Sequence, residues 1–386
     1  MKIYTRYILN KFSINVFLVY VTFVFVYVIF DFTANLSDIL NAGSFSQIIT
    51  TLPSYYFTTS FVFIDLTIPL LLAASALMTL GFMDLSNEVI ALQAIGVSPS
   101  KIVLPIIGAS LCFSLFFTAV REVYLPKHLV EISLKPAEIL HKSESYSVRR
   151  AHDYKSHIVL DGDKINYETN VMSNPSVSLS SNLSVYGNRI IASEAEYLPA
   201  SENRQSGWLF KRVKKPLELA SKDSLRDERL GETIVYFPKD ASWLNEDEAF
   251  IVTSLKPVHL ITGENCFQYG ATADLMNSLM DPTFQNDAVG LTIRAHSRIW
   301  RPVTDLIPLF LATPFIFMKR DKNVFLAMGQ GVLLAILFVL VQQTCSYLSN
   351  QLKWLELGIW GSIFVFVPIA TILWWELTGK TVRTNA

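Results

Sequence analysis

Long runs of apolar residues, nearly free of charge, occupy both ends of this chain. A lipid bilayer has a hydrocarbon core about 30 Å thick, and a helix needs roughly 20 residues to cross it. Six runs are long enough, and they form two groups of three: residues 12–32, 57–82, 102–120, 300–318, 324–348 and 357–375. The pattern predicts six transmembrane helices, three before and three after a long polar stretch.

The polar stretch alternates polar and apolar residues over short distances, which is typical of half-buried β-strands. The clearest runs of this kind are residues 156–167, 176–191, 207–213 and 231–237. Turn-forming residues lie within these runs, as Gly162 and Gly187 do, or between them, as Pro175 does. We therefore predict an all-β domain of the sandwich or jelly-roll type, preceded by a connecting helix at residues 125–142. Residues 271–299 are polar and favour neither helix nor strand.

Lysine and arginine residues in the short loops predict the orientation of the spans, because such residues collect on the cytoplasmic side. One side holds Lys2, Arg6, Lys11, Lys101, Lys319, Arg320, Lys322, Lys380 and Arg383. The loops on the other side, residues 33–56 and 349–356, contain only Lys353. We therefore predict that both termini are cytoplasmic and that the β domain lies outside. The predicted divisions are residues 1–121, 122–298 and 299–386.

The composition agrees with a membrane protein and narrows the range of functions. Of 386 residues, 51% are apolar and 17% are charged, and the formal net charge is -1. A chain without a positive field is not suited to nucleic acid, so no nucleic-acid partner is expected. Cys112, Cys266 and Cys345 are far apart in the sequence and do not suggest a disulfide framework.

Motifs for nucleotide hydrolysis and for hydrolytic catalysis are absent from the sequence. Gly379-Lys380-Thr381 matches the end of a phosphate-binding loop, but Trp374 stands where the first glycine is required. Neither HExxH nor GxSxG occurs. We therefore predict a chain that is not an enzyme and carries no cofactor. The alternative is a membrane-anchored enzyme or sensor acting through the β domain, for which the nearest metal-like cluster is His141, His152, Asp153 and His157.

The loop between the second and third spans encodes a short helix at about residues 86–96. Ser86 is a candidate N-cap, Glu88 complements the positive end of the helix dipole, and Gly96 suits the left-handed conformation at the end. One face is apolar by three-residue spacing and consists of Val89, Leu92 and Ile95. This face either enters a groove in a partner protein or packs against the ends of the spans.

Ionisable residues also occur within the predicted spans. Asp65 lies in the second span and Asp305 in the fourth, each near the predicted outer end. Such acids are costly in a membrane, so they either serve function or pair near the interface. Arg301 is four residues from Asp305, a spacing that predicts an ion pair. Arg121, Arg298 and Arg301 are candidate contacts for the phosphates of a lipid headgroup, with interfacial anchoring as the alternative.

Prolines recur in the fourth predicted span, at positions 302, 308 and 314. Each removes one backbone donor, so the sequence predicts that this helix is bent. A bent helix is suited to the wall of a gate, although proline is also common in ordinary spans.

Several segments together resemble one family of transport proteins. The run Ser86-Asn-Glu-Val-Ile-Ala-Leu-Gln-Ala-Ile-Gly-Val-Ser98 resembles the coupling loop of the LptF/LptG (YjgP/YjgQ) family, the permeases of the lipopolysaccharide export ABC transporter. Further matches are Arg6-Tyr7-Ile8, Glu122 with Pro126, and His296-Ser-Arg-Ile-Trp-Arg-Pro302. By this resemblance, the residues that match the pattern for docking a separate ATPase are Glu88, Ala91, Leu92, Gln93 and Gly96.

The resemblance implies a non-catalytic subunit of the bacterial inner membrane that pairs with a second homologous permease. The pair would enclose a V-shaped cavity and dock an ABC ATPase dimer, which binds ATP and Mg²⁺. Lipopolysaccharide or a related glycolipid would leave the outer leaflet of this membrane and pass to periplasmic jelly-roll bridge proteins, joined by strand addition at an open sheet edge. A mechanotransmitting permease for lipoproteins is an alternative, but that class usually has four spans.

One departure from the family concerns the end of the first span. Family members commonly carry basic residues there, whereas this chain reads Asp31-Phe-Thr-Ala-Asn35. The resemblance therefore implies either a lipid with fewer phosphates or a partner subunit that supplies the positive charge.

Overall fold

The computed structural model describes residues 3–140, 145–202, 204–318 and 323–384. Two compact units make up the chain. The helical unit comprises Met1–Leu36, Tyr56–Leu125 and Val289–Ala386, and the β unit comprises Ser37–Tyr55 and Pro126–Ala288. Several residues named above lie outside the described ranges, namely His141 of the metal-like cluster and Lys2, Lys319, Arg320 and Lys322 of the charge pattern.

The α-helices of the described residues vary widely in length. In chain order they are α1 Ile3–Ala34, α2 Leu36–Ala42, α3 Phe45–Leu85, α4 Glu88–Ala94, α5 Pro99–Val123, α6 Leu129–Ser133, α7 Pro136–Leu140, α8 Pro257–Thr262, α9 Asn265–Tyr269, α10 Thr272–Met280, α11 Ala288–Thr304, α12 Ile307–Ala312, α13 Pro314–Met318, α14 Val324–Leu352 and α15 Leu355–Thr384. The predicted division at residue 298 falls inside α11.

Among the described residues, five helices are long and apolar enough to cross a membrane: α1, α3, α5, α14 and α15. The fourth predicted span is a broken helix, in which Pro282–Thr304 and Ile307–Met318 are bent by 41°. The number of spans is six if this pair is one span. Pro308 follows the break and cannot donate to the carbonyl one turn earlier, which explains why the helix does not continue straight. The predicted bend is thus confirmed.

The helical unit is held together by close approach between helices and by a few polar contacts. Apolar residues of α1, α3, α4, α5, α12, α13 and α14 form one buried cluster. Gly331 lies at a crossing so tight that a Cβ there would be 2.9 Å from Leu77 and 3.1 Å from the carbonyl oxygen of Ala312. Asn15 donates to Thr79 at 2.8 Å between α1 and α3. Small residues and interhelical hydrogen bonds of this kind stabilise helix pairs in lipid.

The prediction of one continuous connecting helix at residues 125–142 is wrong. The structure has a 3₁₀ turn at Leu125–His128, then α6, then α7 after an interruption. Pro136 disfavours helical geometry in the residue before it, so the helix ends at Ser133 and restarts at the proline. The ambiguous residues 271–299 contain α10, a 3₁₀ turn at Pro282–Asp287 and most of α11.

The β unit contains one antiparallel sheet, which confirms the prediction of a β domain. Its strands are β1 Ser145–Ser147, β2 Ala151–Asp153, β3 Ile158–Asp161, β4 Lys164–Asn166, β5 Val171–Ser173, β6 Ser176–Ser178, β7 Arg189–Leu198, β8 Gly207–Lys215, β9 Leu225–Asp227, β10 Glu232–Tyr236 and β11 Ala249–Val252. The main path through the sheet is β1-β4-β5-β7-β8-β11-β10-β9, and β2, β3 and β6 continue it from β7. The jelly-roll assignment stays a prediction.

Strands β3 and β4 are the two halves of one longer bent strand, and β5 and β6 are the two halves of another. The register that joins β4 to β5 continues unchanged from β3 to β6, and β7 pairs with both β5 and β6. Leu160 and Ile165 are both buried although they are five positions apart, as are Met172 and Val177. An odd spacing puts side chains on opposite faces of a flat strand. Each strand therefore turns at a bend, and one continuous face lines the core.

The core of the β unit fills this inner face. Trp208 and Phe210 of β8 are fully buried in it, and the indole N–H of Trp208 donates to the carbonyl oxygen of Leu255 at 2.8 Å. Burying a tryptophan side chain is favourable when its N–H finds a partner, as it does here. Leu260 and Ile261 of α8 complete the same cluster.

Candidate functional site

Two features of the helical unit contain the residues selected from the sequence: the short helix α4 and a cluster of charges between α3, α5 and α11. Helix α4 begins after Asn87, whose φ of 59° is left-handed, and ends before Gly96, whose φ is 85°. The prediction for Gly96 is confirmed. The prediction of Ser86 as N-cap is wrong, because α3 extends to Leu85 and the Ser86 hydroxyl donates to the carbonyl oxygen of Phe82 at 2.7 Å.

Glu88, the first residue of α4, is bound by donors from elsewhere in the chain. Lys11 Nζ lies 2.8 Å from both carboxylate oxygens, and the Tyr7 hydroxyl donates at 3.0 Å. Ser86 adds a longer hydrogen bond of 3.2 Å. Burial raises the pKa of Glu88, but the hydrogen bonds from Lys11 and Tyr7 outweigh burial, so its pKa lies below the usual value. The side chain is therefore ionised at neutral pH.

The apolar residues of α4 are divided between the unit's interior and its surface. Val89 is 3% exposed and, with half-buried Leu92, packs in the main helical cluster. Ile95 is 75% exposed, so the predicted apolar face does not stay together. The exposed apolar residues of α4 and its end form what we call the coupling patch, consisting of Ile90, Ala91, Ala94 and Ile95.

The five residues selected by resemblance for ATPase docking therefore lie in different surroundings. Ala91, Gln93 and Gly96 are exposed. Glu88 and Leu92 are half-buried and contact this chain itself. One side of the helix thus packs on the spans, and another side is exposed; entry of the exposed side into a groove of a partner stays a prediction.

The charge cluster joins helices that are distant in sequence. Asp65 of α3 accepts from Arg301 of α11 at 2.6 Å, and Arg121 of α5 lies 3.7 Å from the same carboxylate. Arg301 also lies 3.7 Å from Asp305, whose other partner is the hydroxyl of Ser114 at 2.6 Å. Both acids are buried, with 6% and 3% exposure. Each acid thus contacts an arginine, and the ion pair of Arg301 with Asp305 that the four-residue spacing predicts is confirmed.

The three arginines proposed to contact lipid headgroups have largely buried side chains. Arg121 and Arg301 contact carboxylates of their own unit, and Arg298 is 4% exposed. Arg301 is 236 positions from Asp65 in the sequence, so no local spacing could have predicted their contact. The described geometry is that of an internal ion-pair network.

The metal-like cluster of the β unit is not assembled in the described residues. Asp153 is buried and accepts from the backbone N–H groups of Lys155 and Ser156 and from Thr253. His152 stacks against Tyr154. Across the described part of the chain, no group of three or more histidine, cysteine or acidic residues has metal-binding geometry.

A cleft of about 290 Å³ in the β unit is lined by other residues, including His259, Cys266 and Asp281. His259 accepts a hydrogen bond from the backbone N–H of Lys256 through Nδ1 at 3.1 Å, so it caps the start of α8. Burial and the nearby charge of Lys256 lower the pKa of His259 to about 4. The imidazole is therefore neutral at pH 7 and has a structural partner.

A family model described as the lipopolysaccharide export system permease LptF/LptG matches residues 6–376 of the chain. No curated protein matches this chain.

Proposed function

This chain belongs to the LptF/LptG family of lipopolysaccharide export permeases, and on that premise we propose that it transmits the closure of a partner ATPase to a lipid-binding cavity in the membrane. Family membership makes it a membrane permease of lipopolysaccharide transport, and its long apolar helices agree with a multi-pass protein of the inner membrane. ATP and Mg²⁺ would be bound by a separate ABC ATPase dimer.

The observation that carries this proposal is the exposed coupling patch on an anchored helix. Helix α4 is fixed to the helical unit by buried Val89 and by the contacts of Glu88, while Ile90 and Ile95 are 57% and 75% exposed. A short helix with an open apolar side and a fixed opposite side suits insertion into a groove of a partner. The partner is proposed to be the ATPase, because it must act on the spans from outside the bilayer.

The remaining partners follow from the same family membership. A second homologous permease would supply the other half of the cavity, and lipopolysaccharide or a related glycolipid would be extracted from the outer leaflet. The charge cluster of Asp65, Arg121, Arg301 and Asp305 is proposed to hold spans of this wall in register, with positive charge for lipid phosphates coming from the second permease. Both termini would be cytoplasmic and the β unit periplasmic.

The β unit is proposed to pass the lipid to jelly-roll bridge proteins. In the described residues β9 pairs only with β10, and β1 pairs only with β4, so both lie at edges of the sheet. An edge strand offers unpaired backbone groups to a strand from another protein. Strand addition at one of these edges would extend the inner face of the sheet into the partner.

Affinity purification of the tagged chain from its native membrane in mild detergent tests this function. We expect mass spectrometry to detect an ABC ATPase, a second permease and a glycolipid that contains lipid A. Ile90→Glu on the coupling patch should lower ATPase recovery about tenfold, because it places a charge in an apolar contact. Leu217→Glu is the matched control, since Leu217 is an exposed apolar residue of the β unit.

Recovery of the chain without ATPase or glycolipid would contradict the proposal and would favour a sensor or enzyme built on the β unit. Equal loss of ATPase from Ile90→Glu and Leu217→Glu would show that the coupling patch is not the docking surface.

A further inference from the structure

A small crevice with polar walls lies between three helices of the helical unit. It is formed by α11, the last turns of α14 and the first turns of α15, and its enclosed volume is about 40 Å³. Polar side chains line it from each helix, namely His296 and Thr304 of α11, Gln342 and Ser346 of α14, and Ser362 of α15. Polar side chains among membrane spans are costly and often functional.

Two glycines of α15 hold the walls of this crevice together. A Cβ at Gly358 would be 2.8 Å from the Cβ of Ser349 on α14 and 2.9 Å from the Cδ1 of Ile293 on α11. A Cβ at Gly361 would be 3.0 Å from the Sγ of Cys345 on α14. The three helices therefore meet at van der Waals distance beside the crevice, so its shape is preformed.

Tryptophans form the exposed edge of the crevice. Trp300 and Trp360 both line it, are 47% and 38% exposed, and have ring centroids 6.2 Å apart. Gln342 and Trp360 lie within about 15 Å, measured along their helices, of the turn that joins α14 to α15. Tryptophan is enriched where a membrane meets water, at the level of the lipid headgroups. The crevice is therefore within reach of the headgroups of one leaflet.

Hydroxyl groups in the walls already use their protons within the chain. Thr304 donates to the carbonyl oxygen of Arg301 at 3.1 Å, and Ser346 donates to that of Gln342 at 3.0 Å. A hydroxyl that has donated its single proton can only accept from a further partner. These oxygens offer lone pairs to the crevice, which disfavours a phosphate and suits a ligand that itself donates.

Other groups of the lining supply donors but no charge. The amide of Gln342, the imidazole of His296 and the indole of Trp360 each carry N–H groups. Within the described ranges of the chain, no charged side chain lines the crevice. An ammonium group would find no counter-charge there, whereas an uncharged hydroxyl both donates and accepts and so matches both kinds of lining group.

We propose that this crevice binds a hydroxymethyl group on the uncharged sugar of a membrane lipid. Its volume is a little larger than the share of one water molecule in the liquid, about 30 Å³, so it admits a hydroxymethyl group and excludes a whole sugar ring. The ring would lie against Trp300 and Trp360 at the exposed edge. The site goes beyond the proposed function, because it involves neither the ATPase nor lipid phosphates.

Native mass spectrometry of the purified chain with three lipids of identical acyl chains tests the site. Monoglucosyl diacylglycerol should bind about tenfold more tightly than phosphatidic acid or phosphatidylethanolamine, because only its headgroup donates and accepts hydrogen bonds without carrying a charge. Gln342→Leu combined with Thr304→Val should weaken binding of the glucosyl lipid about tenfold, because two hydrogen-bonding groups are lost.

Gln343→Leu combined with Thr344→Val is the matched control. Both residues are exposed on α14, and the Thr344 hydroxyl likewise donates to a backbone carbonyl, that of Leu340. This control should keep the affinity of the unmodified chain. Equal affinity for the three lipids would overturn the proposal, and so would equal weakening by the two double variants.

A second measurement uses the unmodified chain, so it does not depend on how the variants fold. A glucosyl lipid with a photoreactive diazirine on its sugar is irradiated with the chain in phosphatidylcholine nanodiscs, and the labelled peptides are sequenced. Label is expected within residues 293–304, 342–346 and 358–363, which contain the lining of the crevice. Label confined to other segments would overturn the site.

Adding lipid A as a competitor identifies the source of the sugar. Loss of the label would assign the crevice to the glycolipid cargo, and persistence of the label would assign it to a resident lipid of the membrane. Either result supports recognition through sugar hydroxyls. The assay contains no ATPase and no second permease, so a failure of the proposed function would leave its result unchanged.

Discussion

Asp65 and Asp305 are carboxylates buried among the spans of the helical unit, and the partners described above come from two helices, α5 and α11. Arg301 lies between them, 2.6 Å from Asp65 and 3.7 Å from Asp305. Removing one member of a buried ion pair is strongly destabilising, because the remaining charge loses its compensation. The four-residue spacing of Arg301 and Asp305 was visible in the sequence, whereas the contacts of Asp65 depend on how α3, α5 and α11 pack.

Asp65→Asn is expected to destabilise the helical unit by about 3 kcal/mol, because Arg301 and Arg121 lose a shared counter-charge. The measurement is the thermal unfolding of the purified chain in detergent, where the variant should melt at a lower temperature. Asp38→Asn, which changes an exposed acid, serves as the control. Identical melting of Asp65→Asn and the unmodified chain would show that the network contributes nothing to stability.

Helix α4 likewise has features that the sequence predicts and contacts that it does not. Gly96 could be predicted, because only a residue tolerant of positive φ suits the end of such a helix. The contacts of Glu88 with Tyr7 and Lys11 could not be predicted, although each of these two residues belonged to another pattern in the sequence. Tyr7 belonged to a matching segment and Lys11 to the charge pattern, but no periodicity joins positions 77 or more apart.

At the scale of elements, close crossings determine which helices pack. Gly331 of α14 leaves no room for a methyl group beside Leu77 and Ala312, while Gly329, on the same helix, has open space where its Cβ would be. The two glycines share one helix and differ in their neighbours. They therefore separate the effect of packing from the effect of helix propensity.

Gly331→Ala is expected to destabilise the helical unit by about 1–3 kcal/mol, because the added methyl group forces α14 away from α3 and α12. Gly329→Ala should be neutral or slightly stabilising, since alanine favours the helix. Thermal unfolding of both variants in the same detergent provides the comparison. Equal melting temperatures for the two variants would contradict the tight crossing.

The strands illustrate the limit of pattern reading for elements. Alternation predicted strands at residues 156–167 and 207–213, and the structure has β3 with β4 and β8 there. Strand β11 was missed because all four of its residues are buried, so it shows no alternation. Strands β1, β2, β5 and β9 have three residues each, too few for a period of two to be distinguished from chance.

For the whole molecule, the predicted orientation rests on basic residues in the short loops. We expect a cysteine at Leu217 of the β unit to react with a membrane-impermeant maleimide in intact cells whose outer membrane has been permeabilised. A cysteine at Ala91 of the coupling patch should react only after the inner membrane is disrupted. Both positions are exposed in the structure, so a difference in reaction reports the side of the membrane. The native cysteines are replaced beforehand, and the reverse pattern of labelling would contradict the predicted topology.

The sequence by itself determined the long apolar helices, the strand-rich middle, the bend at the prolines and the family. These properties depend on local composition, on spacing and on motifs, all of which a single chain displays directly. Only the tertiary structure decided that α4 turns Val89 inward and Ile95 outward, that Glu88 binds Lys11 and that Asp65 binds Arg301. Each of these is a contact between segments far apart along the chain, and such contacts are fixed by how helices cross rather than by the order of residues within any one of them.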